Sequence, residues 1–235
     1  MGKEITMANY GIPALPMMLE GQGQIPPVPF QQPTNVFRFG EQTLWSTLLL
    51  SAGSIANQQF RVFSTQLNGQ GQGFSSGLSI AETNLKQPGM VPNGVAYDVF
   101  GVASEIVLAT SGGAEIGSIL TADAPAVKDA LNIQHNSVLS WDFTQTNVDI
   151  CPVTLAGSGG GLYGALAQNA AGAATGQMNN GAGSVWLYRK HPVALPGTST
   201  FAILVRVGSR APALTYAVSL RITLLGYYKN VVEIG

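Results

Sequence analysis

Few side chains in this sequence could do chemistry, and each candidate lacks a partner that its chemistry requires. Gly159, Gly161 and Gly164 reproduce a G-x-G-x-x-G spacing after a strand-like run. Dinucleotide binding also needs a βαβ unit and an acid about 20 residues further on to hold the ribose. No Asp or Glu occurs from Ile150 through Val232, so the spacing follows from glycine abundance. Cys151 is the one thiol, and His135 and His191 are the two imidazoles. An activated nucleophile needs a base beside it, and neither histidine has a carboxylate close by in sequence. Cys151, next to Pro152 in an apolar run, reads as a buried structural thiol. His191, within Arg189-Lys190-His191-Pro192, reads as an exposed basic strand end. Zinc wants three or four closely spaced ligands, and none are grouped so. Asp142 and Asp149 flank a predicted strand pair and have the chemistry of glycosidase carboxylates or calcium ligands. They are read here as solvated strand ends. The chain is therefore read as a non-enzyme, with no catalytic, cofactor-binding or metal-binding residues expected.

The basic residues form the remaining candidate site. Arg189, Lys190, Arg206, Arg210 and Arg221 come from three successive predicted strands. If those strands are adjacent, they make a basic patch or interface suited to phosphates, lipid headgroups or an acidic neighbour. Trp186 and Tyr188 could stack on bases there, and fit a core equally well. Residues 1–149 carry 5 basic and 11 acidic side chains, and residues 150–235 carry 6 and 1, within a net charge of −1. Two origins fit this asymmetry: chance in an interleaved fold, or acidic and basic edges that meet between copies.

The elements that must position these residues are β-strands. Charged residues are 10% of the 235-residue chain, against roughly 25% in an ordinary soluble domain. A surface so poor in ions is more comfortable buried against neighbours. Period-two alternation is clearest near the C-terminus. Leu214, Tyr216, Val218, Leu220, Ile222 and Leu224 alternate with Thr215, Ala217, Ser219, Arg221 and Thr223. Such alternation buries one face of a strand. Phe201, Ile203, Val205 and Val207 behave likewise. Further strands are predicted at 43–50, 60–63, 97–108, 138–143 and 185–188, with short ones at 37–39 and 148–153. One short helix is predicted over 124–131, with Asp123 as N-cap and Pro125 at its first position.

Two glycine-rich connections, 68–77 and 157–183, separate these strands. The second is free of charge, and contact with a neighbouring copy is expected to order it; residues 165–174 within it have a transient-helix pattern. Residues 1–34 are predicted to form an extended Pro/Gln-rich arm that orders on a neighbour, ahead of a single domain at 35–235. Met1-Gly2 with Thr6 fits a short acylation pattern and leaves modification of Gly2 open. The segment has no signal-peptide apolar core, and no apolar run reaches membrane-spanning length.

Val193-Ala194-Leu195-Pro196-Gly197-Thr198-Ser199-Thr200-Phe201-Ala202-Ile203-Leu204-Val205, followed by Val218-Ser219-Leu220-Arg221-Ile222-Thr223-Leu224-Leu225-Gly226-Tyr227-Tyr228, resembles the closing strands of jelly-roll capsid proteins from small tailless icosahedral viruses. Thr83-Asn84-Leu85 with Val91-Pro92-Asn93-Gly94-Val95-Ala96-Tyr97-Asp98-Val99 resembles the lead-in to a middle strand of such phage coats. The resemblance implies an all-β fold, one eight-stranded antiparallel jelly-roll sandwich. It also implies a structural virion protein whose copies form trimers or pentamers and then a shell, alongside other virion proteins. The chain lacks the basic arm of RNA-virus coats, which leaves direct contact with nucleic acid or a membrane open. The alternative expectation is a secreted or virion-borne carbohydrate-binding sandwich displaying Trp45, Trp141 and Trp186.

Overall fold

A computed structural model describes residues 35–108, 124–143, 146–157, 162–168, 174–178, 185–188 and 190–233. The predicted arm at 1–34, the Asp123 cap and most of the 157–183 connection lie outside the described residues. The chain runs β1 (Asn35–Leu50), β2 (Gln59–Val62), β3 (Val95–Leu108), α1 (Ala124–Asn136), β4 (Ser137–Phe143) and β5 (Thr146–Pro152). A 3₁₀ turn (Val153–Ala156) follows, then β6 (Leu162–Gln168), β7 (Ala174–Met178), β8 (Trp186–Leu187), β9 (Val193–Leu195), β10 (Phe201–Val207) and β11 (Val218–Glu233). The fold is all-β in class, and every strand pairing is antiparallel.

Two sheets hold most of the strands. The first has the order β1-β11-β3, with β8 and β9 both pairing with β3; the second has the order β2-β10-β4-β5. The pairs nest: β1 with β11, β2 with β10, β3 with β8 and β9, and β4 with β5. Strands early in the sequence therefore lie beside strands late in it. One apolar core joins the sheets. Leu48, Val99, Val102 and Leu220 of the first meet Val62, Leu139, Ile203 and Val205 of the second. Each such side chain, fully buried, contributes roughly 1.5–3 kcal/mol.

Several expectations change in detail. The predicted strands at 37–39 and 43–50 are one strand, β1, carried through Gly40. The Tyr228 ring occupies the space a Cβ at Gly40 would need, so the glycine marks a close packing contact and not a turn. Gly226 acts likewise: a Cβ there would stand 2.6 Å from the Asp98 carbonyl oxygen and 2.5 Å from Tyr97. The helix extends to Asn136 and runs directly into β4. Residues 162–168 and 174–178 form a two-stranded antiparallel ribbon, which corrects the helical pattern assigned to 165–174. The strand at 185–188 shortens to β8, and β9, which alternation did not reveal, supplies a second partner for β3. The 68–77 connection folds onto its own chain. Asn68 N–H donates to the Leu78 carbonyl at 2.8 Å, Leu78 N–H to that of Gly69 at 2.8 Å, and Gly73 packs on the Leu49 backbone at φ +84°.

The last predicted strand begins four residues late, at Val218 rather than Leu214, for a definite reason. The carboxylate of Asp129, buried on α1, accepts hydrogen bonds from the backbone N–H groups of Thr215 at 2.7 Å and Tyr216 at 2.8 Å. These donors are thereby withdrawn from a sheet ladder. Leu214 instead exchanges backbone bonds with Gly53, at 2.8 and 2.9 Å. Asp129→Ala is expected to destabilise the fold by roughly 2–3 kcal/mol, the cost of leaving such donors unpartnered. Asp129→Asn, which keeps an acceptor oxygen, should cost about half as much in urea denaturation. Equal losses for the two variants would mean the carboxylate acts through charge and not through these bonds.

Candidate functional site

The residues with chemical potential do not converge. Cys151 is buried in β5, and desolvation pushes its thiol up to about 11, so it is protonated and a poor nucleophile at neutral pH. His135 sits exposed in the last turn of α1, and His191 is exposed between β8 and β9. No group of three or more metal-ligating side chains forms among the described residues. Gly164 lies within β6, so a strand stands where a dinucleotide site would need a helix; Gly159 and Gly161 lie outside the described residues.

Asp149 is solvated, as expected, but lies within β5 and not at its end, while Asp142 is half-buried on β4; both are ion-paired. Arg61 Nη2 lies 2.7 Å from Asp142 Oδ2, and Arg206 Nη1 lies 2.9 Å from Asp149 Oδ1. The Ser140 hydroxyl also donates to Asp149, at 2.7 Å. Each bridge spans a strand. Arg61 on β2 reaches Asp142 on β4 across β10, where Ala202 and Leu204 are buried. Arg206 on β10 reaches Asp149 on β5 across β4. Exposed pairs of this kind are worth about 0–1 kcal/mol each; their effect is to neutralise the outer face of the second sheet.

The basic set divides. Arg206 and Arg221 lie on strands of different sheets, so the adjacency required for one patch is not met. Arg221 is on the first sheet, 3.3 Å from Glu105, and its Nη2 donates to the Ala81 carbonyl at 2.9 Å. Lys190 is exposed just after β8, Arg210 is exposed in the turn after β10, and Arg189 lies outside the described residues. A fourth ion pair joins Lys229 to Asp98 at 2.8 Å. Three of the four pairs link a base from 150–235 to an acid from 1–149. The charge asymmetry is met, at these positions, inside the subunit, because the nested pairing sets late strands against early ones.

The tryptophans do not make an exposed platform. Trp141 is buried, stacked on Phe143 with centroids 5.4 Å apart, and its indole N–H donates to the Tyr188 hydroxyl at 2.7 Å. Trp186 and Tyr188 pack against the core, and Trp45 is half-buried with its indole donating to the Ile80 carbonyl at 3.0 Å. A cleft of about 220 Å³ opens beside Leu44, Met90, Val91, Tyr97 and Tyr228, below the roughly 300–1,000 Å³ of small-molecule sites; a wider, more open one of about 870 Å³ beside Leu49, Phe74 and Leu78 has Glu82 as its one charged lining residue. The surface itself is the better candidate. Leu187 and Tyr227 are exposed large apolar side chains on the first sheet, and sequence alternation hid them because both sit among inward-facing neighbours. Comparisons with protein-family models, with curated proteins and with solved structures find no match.

Proposed function

We propose that residues 35–235 form an antiparallel jelly roll of eight strand positions, β8 and β9 sharing one. The chain is then a virion coat subunit that assembles with copies of itself, as trimers or pentamers, into an icosahedral shell. The observation that carries this is the nesting of strand pairs: β1-β11-β3-(β8, β9) over β2-β10-β4-β5 is a ribbon folded in half and wound into two sheets. Jelly rolls serve viral coats and also lectins, and fold alone does not choose between them. Composition favours the coat. With 10% charged residues and eight of its strand charges joined in four ion pairs within the subunit, the surface is cheap to desolvate against another copy.

Purified full-length protein should run as discrete oligomers or shells by size-exclusion chromatography and negative-stain microscopy. A strictly monomeric protein that binds a glycan array would overturn the coat assignment in favour of a carbohydrate-binding module. Removing residues 1–34 is expected to weaken assembly while leaving the β-type circular dichroism spectrum intact; unchanged assembly would remove the arm from the account.

A further inference from the structure

Resting on that self-assembly, we propose that the outer face of the first sheet, where β3, β8 and β11 meet, packs against the same face of a second copy. The floor of this surface is Gly101. Side-chain carbons of Val185, Leu187 and Leu225 all lie 3.1–3.2 Å from where a Cβ would stand on it, so three apolar side chains close over one glycine. Beside them the ladder slips: Leu225 pairs with Gly101 and Gly226 with Val99, leaving Phe100 as the extra residue of a bulge. Bulges re-aim side chains, and here the Phe100 ring lies against Tyr227, with centroids 5.0 Å apart. Leu187 is 50% exposed and Tyr227 45%. A short strip of leucine and aromatic surface thus faces solvent from β11 across β3 to the edge strand β8.

Both ends of the strip carry an ion pair. Arg221 with Glu105 closes one end at 3.3 Å, and Lys229 with Asp98 the other at 2.8 Å. Apolar centre with polar rim is the anatomy of a protein–protein interface, and tyrosine is among the residues enriched at such centres. The pattern is also its own complement. Under a two-fold axis through the strip, apolar residues meet apolar residues, and the Arg221–Glu105 pair approaches the other copy's Lys229–Asp98 pair. Each pair is neutral, so no like charges are forced together. Nucleic acid or an anionic membrane would find both cations already engaged, which argues for a second copy as the occupant. Stable association needs roughly 600–1,000 Å² from each partner; the strip supplies the dry centre and the ion pairs the rim.

The test uses full-length protein with Leu187→Glu and, separately, Tyr227→Glu, followed by sedimentation velocity over a concentration series. Each variant is expected to need at least ~30-fold more protein to assemble, the effect of losing one central contact residue, with an unchanged thermal transition. Ile80→Glu, at a position 60% exposed over β1, should assemble like the parent chain. If the parent assembles and the two strip variants assemble equally well, this surface is wrong while the coat assignment stands. If Ile80→Glu fails to the same degree, the effect is general surface charge and the strip is again wrong. A parent chain that stays monomeric overturns both.

Discussion

Trp141→Ala is expected to cost about 3–5 kcal/mol, the range for removing a buried aromatic. For a domain of this size that corresponds to a fall in Tm of roughly 10–15 °C. The residue does three things at once. Its ring is buried in the core on β4, stacked on Phe143 and edge-on to Phe201 at 6.4 Å. Its indole N–H reaches the hydroxyl of Tyr188 at 2.7 Å, just beyond β8, and so ties the second sheet to a strand of the first. Trp141→Phe separates the contributions. It retains most of the ring and deletes the donor, so it should cost about 1–2 kcal/mol. Urea denaturation followed by circular dichroism reads both. A loss below about 1 kcal/mol for the alanine variant would contradict the packing described for this side chain.

The second large effect is a loss of stability at alkaline pH. Burial raises Tyr188 from its ordinary 10.0 to about 12 and Cys151 from 9.0 to about 11. Tyr97, buried beneath the first sheet with its hydroxyl at the Leu224 carbonyl, is also raised by desolvation. For each group the folded state holds its proton at a pH where the unfolded chain has released it. Stability is therefore complete below the ordinary values and falls as pH rises towards the folded ones. A group costs about 1.4 kcal/mol per pH unit within its window. Unfolding free energy should accordingly be flat from pH 6 to 8, begin to fall near pH 9 as Cys151 enters, and steepen between pH 10 and 12. Cys151→Ser should move the onset upward. A profile flat to pH 11 would mean these groups are better solvated than their burial implies.

Much of the scaffold was legible where strands bury one face. The 201–207 and 218–224 stretches alternate because each has core on one side only, and both are strands as expected. Legibility failed where a glycine or a polar residue has a tertiary partner. Gly40 reads as a break until the Tyr228 ring is placed over it. Leu214 and Tyr216 read as strand until Asp129, on a helix more than 80 residues earlier in the chain, takes the backbone donors between them. The helix predicted over 124–131 runs on to Asn136, where buried Ile133 and Gln134 keep it packed up to the start of β4. The β6–β7 ribbon was illegible because glycine and alanine supply no apolar face for alternation to mark.

The charged residues show the same limit more sharply. In sequence, Arg189, Lys190, Arg206, Arg210 and Arg221 look like one basic group, and Asp142 and Asp149 like a loose acidic pair. Pairing couples positions far apart in the chain: Arg206 with Asp149, 57 residues away, and Arg221 with Glu105, 116 residues away. No local pattern encodes such partners; they follow from the nesting of strands. The consequence for function is direct. Four cross-strand ion pairs satisfied within the subunit leave fewer free charges on the described sheet faces, which is what the proposed self-association needs.

Sedimentation velocity of the full-length chain at neutral pH, from low to high micromolar concentration, addresses self-assembly most directly. Discrete species at fixed multiples of the 24.5 kDa subunit, shifting to larger particles with concentration, are expected. A single monomer boundary across the whole series would contradict it.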